Sequence, residues 1–301
     1  MVSTLTRNRE ESSPSSPPAI RPRRQLRRYG GVVPYLLFLA VFLIIPAVSV
    51  LVGAFESDSG KPTLANLRLA FSGPYLHSYV ASFELSIGST LIAVVVGFVA
   101  ALAVAATRGR PRALVQSSSS VLANTGGVPL AFAFIATLGN FGIVTKILSG
   151  MGINLYAHGF SLYSVVGLII VYQYFLIPVM ILVMLGPIQN IKSAWVEAAR
   201  SLGASKTRFW WSIGLPILLP AILSGTVVIF ADAFAAYATA EALTSGTLPL
   251  VPIQIGSLIS GNVAAGQGNL GNALGLGMII VVALAATVYV LSQRRASRWL
   301  R

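Results

Sequence analysis

The chain alternates between long apolar runs and short polar segments that hold most of its charges. No Asp, Glu, Lys or Arg occurs in residues 30–55, 85–107 or 113–145. A bilayer core about 30 Å thick is crossed by roughly 20 apolar helical residues, so each run is long enough to span it. The pattern predicts an all-α polytopic membrane protein with six transmembrane helices. The predicted spans are 32–54, 82–106, 114–138, 161–185, 213–236 and 273–291.

Composition supports this class and argues against nucleic-acid binding. Hydrophobic residues make up 55% of the 301 residues and charged residues only 10%, whereas soluble domains carry about 25% charged residues. A net charge of +13 would indicate nucleic acid if the basic residues formed one folded surface. They lie instead between the apolar runs, so we expect a lipid bilayer around the chain and no nucleic acid. The absence of cysteine excludes disulfides, thiolate metal sites and a Cys nucleophile.

The basic residues also orient the chain. Eighteen of the 21 Lys and Arg residues fall in the N-terminal tail, the 2–3 loop, the 4–5 loop and the C-terminal tail. Only Lys61, Arg68 and Lys146 fall on the other side. By the positive-inside rule, the basic side is cytoplasmic. Both termini are therefore predicted to be cytoplasmic in the cell membrane, which requires an even number of spans.

The N-terminal segment could instead be a signal peptide. Its apolar run exceeds the 7–15 residues of a typical signal h-region, and no clear small-x-small cleavage site closes it. We therefore expect an uncleaved first span. The predicted organisation is a disordered basic cytoplasmic tail over 1–31, a first helix and outer loop over 32–79, a main domain over 80–291 and a basic tail over 292–301. The N-terminal tail is expected to aid orientation and attract anionic lipid.

The 4–5 loop has the most specific pattern in the chain. A short helix is predicted over 193–203, with Ser193 as its N-cap and Gly203 in a left-handed conformation at its end. The spacing i, i+3, i+4 and i+7 predicts one apolar face. That face consists of Trp195, Ala198, Ala199 and Leu202. Such a helix can dock closely against another protein or lie on lipid headgroups, and the spacing alone leaves both open.

This loop resembles a known family signature. Glu197-Ala198-Ala199, Gly203 and Ile213-Gly214-Leu215-Pro216 fit EAA-x3-G-x9-I-x-L-P without a gap. The signature is similar to that of permease subunits of binding-protein-dependent ABC importers. It also lies between the fourth and fifth spans, where that family places it. The resemblance implies a type I ABC importer permease fold over residues 80–291.

The resemblance implies roles for individual motif residues. The helix at 193–203 would be the coupling helix, with Glu197 contacting a cytoplasmic ATPase and Ala198 and Ala199 permitting close packing. Gly203 would turn the chain towards the fifth span, and Leu215 and Pro216 complete the motif. Relatives often carry Pro in place of Gln189, and this difference is expected to loosen the start of the helix.

The resemblance also implies partners. These are a cytoplasmic ABC ATPase dimer, a second permease subunit in a homo- or heterodimer, and an extracytoplasmic solute-binding protein. The chain lacks the G-x-x-x-x-G-K-[ST] loop of ATPases. ATP and Mg²⁺ are therefore expected on the partner, with no cofactor in this chain. The Gly-rich loop at 257–272 suits contact with the binding protein, or is an ordinary connection between two spans.

Four polar residues within the spans are candidates for lining a solute pathway. They are Asp232, Gln173, Tyr174 and Asn124. Ionisable groups inside a membrane usually face the bundle interior or water, but these residues could equally form helix–helix hydrogen bonds. Asn124 with its neighbouring glycines predicts close packing or a helix break.

Other functional classes fit the sequence less well. An intramembrane enzyme would need a nucleophile and a base, but the chain has no G-x-S-x-G and no His within a span, so no catalytic residue is expected. His77 and His158 are separated in the sequence by 80 intervening residues and have no carboxylate cluster beside them, which argues against a metal site. An ion-coupled secondary transporter would tend to show inverted repeats and more intramembrane carboxylates.

The solute is the least determined feature. Residues 230–240 and 250–259 look most like permeases of the spermidine/putrescine branch. Asp232 would suit a cation such as a polyamine. That branch also includes permeases assigned to iron, thiamine, phosphonate and sulfate, which remain alternatives.

Overall fold

The described part of the chain is helical. The computed structural model describes residues 32–57, 59–260 and 267–298, without the side chains of residue 158 and of 292–298. Within these ranges the only extended pairing is an isolated bridge between Glu56 and Pro62. The predicted tail over 1–31, the side chains of the 292–301 tail and that of His158 lie outside the described residues.

We number the longer helical segments of these ranges α1 to α12. They are α1 Val33–Ala54, α2 Ala65–Ala70, α3 Gly73–Ala106, α4 Arg110–Asn124, α5 Val128–Leu138, α6 Ile143–Gly150, α7 Val165–Gln189, α8 Ser193–Ser201, α9 Lys206–Ala235, α10 Ala238–Thr244, α11 Val251–Ile259 and α12 Gly268–Arg298. A π-helical turn interrupts α1 at Ala40–Ile44 and α9 at Trp210–Gly214.

Six segments of the described ranges are long and apolar enough to cross a membrane, which confirms the predicted all-α polytopic fold. Several helix ends differ from the prediction, and helix α7 begins at Val165 rather than at residue 161. Helix α3 begins at Gly73 rather than at residue 82, and α9 begins at Lys206 rather than at residue 213. An established helix gains one backbone bond per added residue, so it continues into polar sequence beyond its apolar part.

The predicted third span, 114–138, is wrong as a single helix. It consists of α4 and α5, separated by a non-helical stretch at residues 125–127. Gly127 has a φ of +82°, and its N–H donates to Thr239 Oγ1 at 2.7 Å. By length and apolarity, the third candidate span is Val128–Gly150, which is itself divided by a turn between α5 and α6. The positive φ of Gly127, a conformation that favours glycine, is incompatible with a continuous right-handed helix through the apolar run.

The chain divides at Ser49–Val50 into two compact units. In the first unit, the described part of α1 exposes almost all its large apolar side chains, from Val33 to Ile45. Such a surface is stable in hydrocarbon, because a helix satisfies its own backbone hydrogen bonds. This unit is therefore suited to lie among lipid tails.

In the second unit, the main core forms where α3 and α7 pack side by side. Gly88 lies opposite Ile169 and Gly97 opposite Met180, so the two helices run parallel. A Cβ added at Gly97 would lie 2.6 Å from Met180 Cβ. Glycine at this position therefore allows the two backbones to approach closely, as is common between membrane helices.

A second core holds the short outer helices in place. Tyr79 Oη donates to the Leu274 carbonyl at 2.9 Å, and Ser82 Oγ accepts from the Val251 N–H at 2.9 Å. These bonds link α3 to α12 and to the start of α11. Ala54 and Ala70 are buried in the same core as Leu274. The predicted domain limit at 79/80 lies inside α3.

Candidate functional site

The motif in the 4–5 loop forms a short helix, α8, followed by a tight turn. Lys192 occupies the N-cap position without a side-chain hydrogen bond, and Ser193 is the first helical residue. The prediction of Ser193 as the cap is therefore wrong by one position. The Trp195 N–H donates to the Lys192 carbonyl at 3.1 Å, which places Ser193 inside the first turn.

The C-terminal end of α8 has the geometry of a Schellman motif. Gly203 has a φ of +78°, which confirms the predicted left-handed conformation. Its N–H donates to the Arg200 carbonyl at 2.8 Å, and the Ala204 N–H donates to the Ala199 carbonyl at 2.9 Å. These two bonds satisfy carbonyls that a helix end otherwise leaves open. The chain therefore reverses sharply at Gly203 towards α9.

The faces of α8 differ from the expected apolar stripe. Ala199 is buried against the body of the second unit, with 6% of its surface exposed. The other three residues of the predicted apolar face are exposed, as is Glu197. The three are Trp195, Ala198 and Leu202, and Leu202 is 88% exposed. The helix thus presents a small apolar surface and one carboxylate away from the core, where another protein can reach them.

The end of the motif forms a π-helical turn in α9. The Leu215 N–H donates to the Trp210 carbonyl, five residues back. A Cβ at Gly214 would lie 2.5 Å from Trp210 Cε3, so only glycine lets the indole ring pack there. Pro216 follows in the first turn of the regular helix, Leu215–Ala235, where its missing N–H is tolerated. Leu215 and Pro216 therefore mark the start of the regular part of the fifth span.

A second site forms at the break between α4 and α5. A pocket of about 360 Å³ opens there, and among the described residues lining it Asp232 is the only charged one. Asn124, Tyr237 and Thr239 supply its other polar side chains, and the Phe175 ring supplies an apolar wall. Two of the four predicted pathway residues, Asp232 and Asn124, are therefore brought together from α9 and α4.

This pocket exposes polar groups although it lies along helices that are otherwise apolar. Asp232 and Asn124 are both exposed, and the backbone at residues 125–127 is non-helical. Charged groups and irregular backbone do not face lipid within a membrane, but they do line water-filled cavities or protein contacts. The pocket therefore has the chemistry of a hydrated surface.

The other two predicted residues lie elsewhere. Gln173 Nε2 donates to the Ser89 carbonyl at 3.2 Å and to the Ile169 carbonyl at 2.8 Å. The Tyr174 ring packs edge-on against Phe134, with centroids 6.1 Å apart. Neither residue lines the Asp232 pocket. Gln173 therefore bonds to α3 and to its own helix α7, and Tyr174 packs against α5.

Tyr237 and Thr239 were missed from the sequence. Their polarity within an otherwise apolar stretch just after Asp232 was the available signal.

In the 257–272 loop, α11 ends at Ile259 and α12 begins at Gly268, while residues 261–266 lie outside the described part. Contact of this loop with a binding protein stays a prediction. Among the described residues, no three His, Cys, Asp or Glu side chains gather in a metal-binding group.

Comparison with known proteins agrees with the motif and the fold. The chain is 27% identical over 269 residues to the spermidine/putrescine transport system permease protein PotB of Haemophilus influenzae, covering 87% of this chain and 92% of that protein. It is 26% identical over 181 residues to the molybdenum transport system permease protein ModB of Mycobacterium tuberculosis, covering 58% and 65%. Its relatives thus include permeases named for quite different solutes.

Solved structures share the fold. A bacterial ABC transporter involved in the import of the acidic polysaccharide alginate has a chain that is 18% identical, with a TM-score of 0.69 and coverage of 92% of this chain and 96% of that one. The alginate transporter in complex with its alginate pentasaccharide-bound periplasmic protein gives a TM-score of 0.72 at 18% identity, covering 91% and 96%.

A family model described as the binding-protein-dependent transport system inner membrane component matches residues 93–301. The match takes in the α8 motif and the Asp232 pocket. It describes a transport component of the cell membrane rather than a catalytic family. The chain therefore belongs to the inner membrane components of binding-protein-dependent transport systems, the permease subunits of ABC importers.

Proposed function

We propose that this permease carries a small cationic solute, with a polyamine such as spermidine or putrescine as the first candidate. The observation that carries the proposal is the Asp232 pocket, whose lining holds one carboxylate and no basic side chain. An exposed carboxylate beside the Asn124 amide and the Phe175 ring attracts an ammonium group by charge, hydrogen bonding and cation–π contact. The similarity to PotB supports the same class.

The second part of the proposal concerns coupling. Helix α8 docks on a partner ATPase through its exposed residues, with Glu197 as the polar contact and Ala198 at the point of close approach. Two backbone bonds fix the turn at Gly203, so α8 moves as one piece with the start of α9. ATP and Mg²⁺ belong to the ATPase dimer. A second permease and a solute-binding protein complete the transporter.

Transport assays with matched carboxylate variants test the solute class. The transporter, co-expressed from neighbouring genes, is reconstituted into proteoliposomes, and ATP-dependent uptake of labelled spermidine is measured. Asp232→Asn is expected to lower uptake at least about tenfold, because a hydrogen bond to a charged group contributes about 1.5–3 kcal/mol. Glu84→Gln, an equal charge change at an exposed site outside the pocket, should leave uptake unchanged. Wild-type uptake of sulfate or a phosphonate but not spermidine would contradict the cationic class. Uptake of thiamine, which is itself a cation, in place of spermidine would overturn only the polyamine candidate.

Co-purification tests the coupling role separately. Glu197→Arg reverses the charge of the exposed α8 carboxylate and should strongly reduce recovery of the ATPase with the tagged permease, whereas Glu84→Arg should not. Combining Glu197→Arg with Gly203→Pro should give complete loss. Equal recovery with all variants would show that α8 is not the docking element. Uptake driven by an ion gradient without ATP would instead indicate a secondary transporter.

A further inference from the structure

A second, strongly basic pocket lies beside the coupling helix and has no role in the proposed transport path. It measures about 580 Å³ and is formed where the ends of α3, α7 and α8 meet the starts of α4 and α9. Four basic side chains line it, and no Asp or Glu does. These side chains are Arg108, Arg112, Arg200 and Lys206.

The position of this pocket is at the cytoplasmic edge of the membrane. Helices α3 and α7 end at Ala106 and Gln189, and α9 begins at Lys206, on the side that the positive-inside rule assigns to the cytoplasm. Trp210 lines the pocket, and the neighbouring Trp211 is 70% exposed. Tryptophan is enriched at the level of the lipid headgroups. An anionic headgroup and a dissolved anion can therefore both reach the pocket.

The chemistry of the lining selects for phosphate. The three Arg side chains come from two separate segments, and a guanidinium fork binds phosphate oxygens in pairs. Ser205 Oγ accepts from the Arg208 N–H at 3.2 Å and keeps its own O–H as a donor. Gln189 adds an amide. A bound anion would reduce the mutual repulsion of these like charges.

We propose that this pocket binds a phosphate group, carried by the headgroup of an anionic phospholipid or by a soluble phosphate. Arg200 belongs to α8, whereas Arg108 and Arg112 flank the start of α4 and Lys206 begins α9. A bound phosphate therefore bridges the coupling helix and the membrane body. This site stands independently of the proposed solute and of ATPase docking.

In both loops, one basic residue lines the pocket and another, two positions away, does not, which provides a matched control. Arg112→Gln with Lys206→Gln removes two pocket charges, while Arg110→Gln with Arg208→Gln removes two charges from the same loops outside the lining. The full chain in detergent is titrated with phosphatidylglycerol, phosphatidylcholine and inorganic phosphate, and binding is followed by native mass spectrometry. Each basic residue contributes roughly fivefold to anionic lipid binding, so the pocket variant should lose about 25-fold. The control should lose less than about threefold, because Arg110 and Arg208 lie outside the pocket lining and act on a bound phosphate only through screened, longer-range attraction.

The titrations distinguish a lipid headgroup from a soluble phosphate as the source of the bound phosphate. Phosphatidylglycerol binding that inorganic phosphate does not displace identifies a lipid headgroup, and displacement identifies a soluble phosphate. Equal losses in both double variants, or no preference over phosphatidylcholine together with no phosphate binding, would overturn the proposal. Loss of the ATPase with the pocket variant, without any phosphate binding, would reassign the pocket to a protein contact. If the double variant does not fold, Arg108→Gln against Arg110→Gln makes the same comparison.

Discussion

The close approach of α3 and α7 predicts that Gly97→Ala destabilises the protein. The added Cβ would lie 2.6 Å from Met180 Cβ and 3.1 Å from the Ile177 carbonyl oxygen. Both atoms are fixed by the α7 backbone, so no rotamer change relieves the overlap. Overpacking typically costs about 1–3 kcal/mol, against a gain of about 1 kcal/mol from the helix propensity of alanine. We therefore expect Gly97→Ala to lower the free energy of unfolding by up to about 2 kcal/mol.

Gly225→Ala provides an informative contrast, because it approaches the same methionine from α9. Its nearest neighbour is Met180 Sδ at 2.8 Å, the mobile part of a flexible side chain. Gly225→Ala should therefore cost less than Gly97→Ala. In double-mutant cycles with Met180→Ala, the Gly225 pair should couple strongly, since truncation removes the sulfur. The Gly97 pair should couple less strongly, since truncation removes Met180 Cγ at 2.9 Å but leaves Met180 Cβ at 2.6 Å.

The assay is reversible unfolding in bicelles, followed by circular dichroism. Gly186→Ala on α7 is the matched control, because nothing lies within 4 Å of its added Cβ, and it should be neutral or slightly stabilising. A Gly97→Ala protein as stable as Gly186→Ala would refute the packing argument. Relief of Gly97→Ala by Met180→Ala, to the same extent as for Gly225→Ala, would refute the assignment of the clash to Cβ.

Three further predictions concern single backbone bonds and one turn. Ser82→Ala removes the acceptor of the buried Val251 N–H, so we expect a loss of about 1–3 kcal/mol in the same unfolding assay. Gly203→Ala places a side chain at a φ of +78°, which costs roughly 1–2 kcal/mol, and should speed limited proteolysis of the 4–5 loop. Thr239→Val removes the acceptor of the Gly127 N–H, so amide exchange at the α4–α5 break should accelerate.

Each of these variants has a control of the same chemistry. Ser86→Ala loses only a bond to a carbonyl of its own helix, at 2.7 Å, and should cost less than Ser82→Ala. Gly186→Ala should leave proteolysis of the 4–5 loop unchanged. Thr247→Val loses a local bond to Thr244 and should not affect exchange at the α4–α5 break. Identical behaviour of variant and control in any pair would remove the basis for that prediction.

Apolarity and a linear motif predicted what depends on local sequence. Five of the six spans followed from the apolar runs, and the left-handed Gly203 followed from its place after a helix-forming segment. Helix ends were less accurate, because α3 and α9 continue through polar residues once their backbone ladders are formed. The third span failed where Gly127 adopts a conformation that hydropathy does not encode.

Contacts between distant segments could not be read from the sequence. Ser82 and Val251 are 169 residues apart, and no pattern in the sequence around either residue predicts that they are in contact. Asp232 and Asn124 were each recognisable as polar residues in apolar runs, but their shared pocket depends on how α4 and α9 pack. Gln173 had the same signal and instead bonds Ser89 on a neighbouring helix. Polarity identifies candidates, whereas packing decides which of them meet.

The π-helical turn at Trp210–Gly214 affects how α9 tolerates a change in length. Successive residues of an α-helix are rotated by about 100°, and a π turn accommodates one extra residue while the helix on each side keeps its direction. Deleting one residue inside this turn would restore regular winding and leave the downstream face unchanged. Deleting one residue between Leu215 and Asp232 would rotate the carboxylate about 100° away from its pocket. Single-residue deletions in the fifth span should therefore be tolerated within the turn and not beyond it.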